Sequence, residues 1–337
     1  MASESGPEQS SGLTEDRIVR EIFLKEPPLS SDFVVPPGDD AAVVRVEGDL
    51  VATADILVEG VHFDLSYFSP EDLGYRAVAV NLSDLAAMGA RPHSCLVSVG
   101  MPSLVSEEFV RGLAAGIRDS LEEFGASLAG GDTVRSERVV VSVTALGTLD
   151  GKPLTRSGAK EGDGIYISGP AGLSHIGMLF LTGGTSGGED LEEARRKHLR
   201  PVPRVALGLA LREREIASSC IDTSDGLVRD LTRILEASGV GASIDVAPLL
   251  DERLRKLAQA AGVDPLDALL YGGEDFELLF TVPPEKEKEL LRSVGEEVIR
   301  IGIVRAERGL SDSLGGEPLS LSGKGKSSFE HFGEGGA

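Results

Sequence analysis

Ser69-Pro70-Glu71-Asp72-Leu73-Gly74-Tyr75-Arg76-Ala77-Val78-Ala79-Val80-Asn81-Leu82-Ser83-Asp84-Leu85-Ala86-Ala87-Met88-Gly89 is the stretch on which the fold turns. Its first residues spell a helix start. Ser69 can cap, Pro70 suits the first helical position, and Glu71 with Asp72 face the positive end of the helix dipole. Gly89 supplies the stop, because glycine accepts the left-handed backbone that closes a helix. Asn81 and Asp84, three residues apart, share one face of that helix. Runs rich in β-branched residues flank it, 41–46 and 50–58 before and 95–99 after, and these read as strands. Further out, 14–25 is helical in pattern and ends at Pro27-Pro28, while 106–124 is a helix closed by Gly125. The segment 138–149 is a long strand whose consecutive Val139-Val140-Val141 predict burial.

The alternation repeats after the turn residues Asp150-Gly151-Lys152-Pro153. Strands are expected at 165–168, 242–246, 276–282 and 298–304, and helices at 189–199, 226–237, 251–261 and 284–294. No repeat recurs at a period of about 20–50 residues. Residues 1–12 read as a disordered tail, and the segment from 307 is rich in Gly and Ser. The expected organisation is therefore a first domain over 13–150, a second over 151–306 and a Gly/Ser-rich segment over 307–337, each domain being α/β or α+β.

Composition removes several classes of function. The 337 residues carry 33 Lys plus Arg against 55 Asp plus Glu, a net charge of −22. Such a surface repels phosphate backbones and anionic headgroups, so nucleic acid and membrane are excluded as default partners. The two cysteines, Cys95 and Cys220, form no CxxC or Cys/His cluster, which argues against disulfides, structural zinc and iron–sulfur centres and suits a reducing cytoplasm. There is no apolar run of about 20 residues, and the first twelve residues have neither a basic nor an apolar signal region.

Acidic residues of two kinds are present. Those on charged faces such as 285–289 read as solvated surface. Others sit beside Gly, Ser or Thr: Pro36-Pro37-Gly38-Asp39-Asp40, Thr53-Ala54-Asp55, Asn81-Leu82-Ser83-Asp84, Gly130-Gly131-Asp132-Thr133 and Asp222-Thr223-Ser224-Asp225-Gly226. Any one of these could be an Asx turn or a helix cap. Five together, in a chain with five His, point to a divalent cation of the Mg²⁺ type, held by carboxylate and hydroxyl oxygens with substrate phosphate. Bridging Mg²⁺ would also let a net −22 protein accept a nucleotide, and phosphoryl transfer rests on such neutralisation and on positioning. Gly325-Lys326-Ser327 fails as a Walker loop, since its leading position is Ser320, and no HRD or DFG set occurs.

Seven fragments in order carry a specific resemblance. They are Pro37-Gly38-Asp39-Asp40-Ala41-Ala42, Asp55-Ile56-Leu57-Val58-Glu59-Gly60-Val61-His62-Phe63, Asn81-Leu82-Ser83-Asp84-Leu85-Ala86-Ala87-Met88-Gly89-Ala90, Gly130-Gly131-Asp132-Thr133, Arg156-Ser157-Gly158-Ala159-Lys160, Asp222-Thr223-Ser224-Asp225-Gly226-Leu227 and Gly272-Gly273-Glu274-Asp275-Phe276-Glu277-Leu278. From about residue 14 to residue 332 the chain resembles the thiamine-monophosphate kinase family, within the aminoimidazole ribonucleotide synthetase-like superfamily. That resemblance implies an α/β plus α+β fold, with an N-terminal α/β domain that pairs with its copy in a homodimer. It implies ATP-dependent phosphorylation of thiamine monophosphate to thiamine diphosphate, the last step of that biosynthesis, by direct transfer among several Mg²⁺ ions, with K⁺ a further candidate ion. By the same resemblance Asp39, Thr53, Asp55, Asp84, Asp132, Asp222 and Asp225 bind metal, Gly131, Asp132, Arg156 and Ser224 bind ATP, and His62, Glu274 and Phe329 contact the thiamine substrate.

On their own chemistry, Arg156 is a bidentate phosphate donor or a surface residue, and His62 bonds a substrate group or is simply half buried. Phe329 packs back on a domain or stacks on a flat ring. Two positions depart from the family pattern. Ala54 replaces a hydroxyl, so a ligand there would be its carbonyl, and Ala114 replaces an aromatic, which leaves the adenine contact open. Related synthetases with a reactive N-terminal Cys, or maturation proteins ending in Cys, fit poorly with a first Cys at 95 and an end at Gly335-Gly336-Ala337. A non-catalytic acidic metal-binding scaffold leaves Arg156 and the Gly-Asp pairs without a joint purpose.

Overall fold

The computed structural model describes residues 14, 17–24, 31–37, 41–183, 188–294, 298–312, 322–323 and 326–327. A π-helical turn, Ile18–Phe23, stands where a helix over 14–25 is expected. Short strands β1 (Phe33–Val35) and β2 (Val43–Val44) pair antiparallel. There follow β3 (Asp49–Val58), α1 (Pro70–Ala87), β4 (Arg91–Met101), α2 (Glu107–Glu123), β5 (Ser127–Arg135) and β6 (Val140–Leu149). The last four strands form a sheet in the order β3-β6-β4-β5, with β4 and β5 parallel.

The start signals act as written. Ser69 Oγ accepts the Asp72 N–H at 3.1 Å, and Ser106 Oγ accepts that of Phe109 at 3.1 Å at the head of α2. Gly89, at φ +68°, closes α1. Strand β6 is not buried on both faces as its valine run predicts. Its residues alternate between half-buried and buried along their whole length, so one face only is covered.

Packing separates two compact units. The first holds the described residues up to Val46, Ala54–Val78 and His93–Ala145, and the second holds Glu47–Thr53, Ala79–Pro92 and the described residues from Leu146 on. In the first, α1 and α2 touch backbone to backbone. A Cβ on Gly116 would lie 1.9 Å from the Glu71 carbonyl oxygen, so only glycine fits there.

The second unit is built on a six-stranded mixed sheet. Its strands are β7 (Gly164–Ile167), β8 (Ser219–Asp222), β9 (Gly241–Ile244), β10 (Leu278–Val282), β11 (Ile299–Arg305) and β12 (Gly309–Asp312), in the order β12-β9-β11-β7-β10-β8. All pairs are antiparallel except β12 with β9. The helices are α3 (Leu173–Thr182), α4 (Glu189–Leu199), α5 (Val205–Glu213), α6 (Leu227–Ser238), α7 (Glu252–Ala261), α8 (Pro265–Tyr271) and α9 (Glu287–Val294). The period-2 rule sorts the β7, β8 and β10 side chains into two cores. Ile165, Ile167, Ile221 and Leu279 join Leu231, Ile234 and Ile176 on one face, while Tyr166, Cys220, Leu278 and Phe280 join Leu211, Ile216, Ala86 and Ala87 on the other. Tyr166 and Phe280, paired in register, stack with ring centroids 5.9 Å apart. Among the described residues no helix is long and apolar enough to cross a membrane.

Candidate functional site

Strand β8 is wholly buried and delivers Asp222 to its end, where Thr223-Ser224-Asp225-Gly226 turns into α6. Asp222 is 5% exposed, and its Oδ2 accepts a hydrogen bond from Ser83 Oγ at 2.8 Å. The next residue, Asp84, accepts from Thr53 Oγ1 at 2.6 Å. Consecutive residues of α1 thus hold two expected ligand segments, Thr53 through Asp84 and Asp222 through Ser83, all within the second unit. Desolvation raises the Asp84 carboxyl from its ordinary value, against the Thr53 hydrogen bond and the positive charge of Arg156. Arg156 is exposed on a loop pinned beside β8. The Thr155 carbonyl accepts the Cys220 N–H at 2.8 Å, and Ser238 Oγ donates to the Arg156 carbonyl at 3.2 Å.

Asp225 is engaged differently. Its carboxylate pairs with the Arg233 guanidinium, and its N–H donates to Asp230 Oδ2 at 3.0 Å. Asp230, fully buried, has its carboxyl pushed up to about 7, chiefly by desolvation, with the Arg233 charge opposing. Sequence reasoning offered no hint of this arginine, which stands two turns along α6.

Glu274 lies in a turn with unusual backbone: Glu274 at φ +59° and Phe276 at φ +50°, each costing about 1–3 kcal/mol. The Glu274 N–H donates to the Ser224 carbonyl at 2.8 Å, and its Oε2 lies 3.5 Å from Nδ1 of the buried His198. Asp275 caps α3 from a distance, accepting the N–H groups of Gly172 at 2.6 Å and Ser174 at 3.0 Å. Burial pushes its carboxyl up to about 6, with Lys197 opposing. Glu277, fully buried, accepts from Ser168 Oγ at 2.5 Å, from Arg204 Nε and Nη2 at 2.7 Å each, and from Lys197 Nζ. Burial alone would raise its carboxyl, but Lys197 and Arg204 hold it below the ordinary glutamate value.

In the first unit the remaining sequence candidates stand as follows. Asp55 is exposed on β3. Gly131 and Asp132 lie within β5, not at a turn, and the β4–β5 register sets them opposite Val97 and Ser98. Gly131 has no alternative: a Cβ there would be 1.7 Å from the Val97 carbonyl oxygen. Asp132 is exposed and its Oδ1 accepts the Thr133 N–H at 2.8 Å. His62 is half-buried, its Nδ1 accepting the Val58 N–H at 3.0 Å, which puts the ring proton on Nε2. Ala114 is buried in α2 and Ala54 is exposed on β3. Asp39 and Phe329 lie outside the described residues.

Among the described residues no three His, Cys, Asp or Glu side chains converge as a metal group. Asp84 and Asp222 with their hydroxyl partners are nonetheless the hard oxygen donors Mg²⁺ takes, and Mg²⁺ needs only one or two carboxylates when phosphate and water complete its octahedron.

Residues 38–149 match the AIR synthase related protein N-terminal domain and 160–314 the C-terminal domain. The class is therefore the two-domain AIR synthase related architecture, as the resemblance implies. Within it, a curated Thiamine-monophosphate kinase of Escherichia coli (strain K12) is 39% identical over 309 residues, covering 88% of this chain and 91% of that one. The chain belongs to the thiamine-monophosphate kinase family. A solved thiamine-monophosphate kinase from Stenotrophomonas maltophilia K279a superposes with a TM-score of 0.78 at 36% identity, over 90% of this chain and 96% of that one. The solved AaThiL complexed with AMPPCP and TMP gives 0.75 at 28% identity, over 97% and 100%.

Proposed function

We propose that this chain phosphorylates thiamine monophosphate to thiamine diphosphate with ATP, in a site that needs Mg²⁺. The observation that supports the reading is the double bridge at Ser83 and Asp84, which ties two acidic segments distant in sequence to consecutive residues of one helix. Family membership and the relative bound to AMPPCP and TMP support the same substrates. When bound, Mg²⁺ would neutralise charge on the transferring phosphoryl group.

Asp84 and Asp222 are its holders, joined in this reading by Thr53, Asp39, Asp55, Asp132 and Asp225, the last exchanging its Arg233 partner. Arg156, Gly131, Asp132 and Ser224 take ATP, and Arg156 brings positive charge toward Asp84. His62, Glu274 and Phe329 receive the thiamine moiety. K⁺ is a further ion of the site. Residues 13–150 and 151–306 act as the two sequence domains.

The active form is a homodimer. In the first unit Leu96 and Val134 are exposed on one face of the β4–β5 pair, where the register also places Asp132, and Ile56 is exposed on β3. We assign that face to a second copy of the chain. Two free, buried thiols, Cys95 and Cys220, suit a cytoplasmic setting. The deciding assay incubates the chain with ATP, Mg²⁺ and thiamine monophosphate. Thiamine diphosphate is expected, and its absence overturns the reading.

A further inference from the structure

Two turns hang side by side from β8 and β10, whose ladder sets Asp222 opposite Leu278. One carries the residues assigned above to metal and ATP, 222–225, and the other carries Glu274. Past the ladder, Thr223 extends the pairing through every polar atom it has. Its N–H donates to the Glu277 carbonyl at 2.8 Å, its hydroxyl accepts the Glu277 N–H at 3.0 Å, and its carbonyl accepts the Phe276 N–H at 2.9 Å. Thr223 is 1% exposed, so water cannot substitute for any of these. Glu277 is immobile at the other end, clamped by Ser168, Lys197 and Arg204.

The turn so held includes Glu274 and Phe276 at positive φ, conformations a free loop would abandon. A local relaxation of either residue would break its bond to Ser224 or Thr223 and pull the two turns apart. The strain therefore persists because the strap opposes it.

We propose that Thr223 is a positioning residue that fixes the nucleotide-directed turn at 222–226 and the substrate-directed turn at 272–277 as one piece. This rests on the functional reading above. Thr223 is 1% exposed, and its hydrogen bonds go to Phe276 and Glu277. It acts by setting where Ser224 and Glu274 stand relative to one another, so its loss is felt at both substrates together.

The test compares Thr223→Val and Thr223→Ser. Valine keeps the shape but removes the acceptor, leaving a buried N–H unmet; serine keeps the oxygen. For Thr223→Val, KM for ATP and for thiamine monophosphate are both expected to rise about tenfold, equivalent to about 1.4 kcal/mol each. Thr223→Ser is expected to keep both within about twofold of the wild type. A merely structural role would lower Tm and the folded fraction, hence apparent kcat, with both KM values unchanged, and that result overturns the proposal. So does a rise in one KM alone. If Thr223→Val does not fold, Thr223→Cys, whose sulfur is a weak acceptor, decides by the same pair of KM values. A wild-type chain that makes no thiamine diphosphate refutes the functional reading instead.

Discussion

Glu277→Gln tests how much the second unit depends on one buried charge. The carboxylate accepts four hydrogen bonds on its two oxygens: one from Ser168, two from Arg204 and one from Lys197. Glutamine offers one oxygen and an NH₂ group, so whichever way it is placed, a donor faces a donor. Lys197 and Arg204 then lose the carboxylate charge they share. Arg204 is about one-third exposed and can turn to water, but Lys197, at 11%, has little such escape. Removing one partner of a buried ion pair costs about 3–5 kcal/mol, and the escape open to Arg204 brings the expectation to the low end, about 3 kcal/mol. For a unit of this size that corresponds to a fall in Tm of about 6–12 °C. Urea unfolding of the full chain, followed by circular dichroism at pH 7, reads the same quantity. A loss below about 1 kcal/mol would show that the cluster contributes little and would refute this account of the cluster.

Three further outcomes are expected. Asp275 has its carboxyl raised to about 6 by burial, so its contribution to stability is full below its unfolded value near 3.8 and is lost as pH rises through about 6. Between pH 4 and pH 7, Asp275→Asn should therefore gain about 1–3 kcal/mol relative to the wild type, measured by urea unfolding at both pH values; no relative gain contradicts the burial argument. Gly131→Ala forces a methyl to within 1.7 Å of the Val97 carbonyl and should cost about 2–4 kcal/mol as β4 and β5 part, so an unchanged unfolding midpoint refutes the close approach. Asp84→Asn should cut turnover by about 100-fold or more while ATP affinity, read by calorimetry, moves by less than about threefold; equal turnover counts against the metal reading.

The elements with local signals were legible from the sequence. Helix α1 begins and ends where Ser69-Pro70 and Gly89 place it, and α4 matches its expected span. Helix α8 was missed although Asp264-Pro265 has the same cap-and-proline form, with Asp264 Oδ1 accepting the Leu266 and Asp267 N–H groups. Helix α3 carried no such cue: it starts at a glycine and its cap is Asp275, far along the chain. Gly130-Gly131-Asp132 has the composition of an Asx turn or a cap, because glycine and aspartate favour both. The structure uses the glycine to bring two parallel strands into contact. Strand β12 lies past residue 306 in a Gly/Ser-rich stretch, where only parallel pairing with β9 gives it a place.

The site divides the same way. The candidate aspartates announced themselves by their neighbours, and in the structure Thr53 bonds Asp84 while Ser83 bonds Asp222. What holds them could not be read, because Ser83 finds Asp222 139 residues away and Glu277 finds Ser168, Lys197 and Arg204 at separations of 73 to 109. A buried acidic residue in a strand context says only that partners must exist.

The second unit takes in Glu47–Thr53 and Ala79–Pro92, so it is not a contiguous stretch of gene. A fragment beginning near residue 150 would lack Ser83 and Thr53, and it would leave Leu211 and Ile216 without the Ala86 and Ala87 that cover them. A chimera of two relatives spliced at that point would set one parent's Ser83, Ala86 and Ala87 against the other parent's Asp222, Leu211 and Ile216.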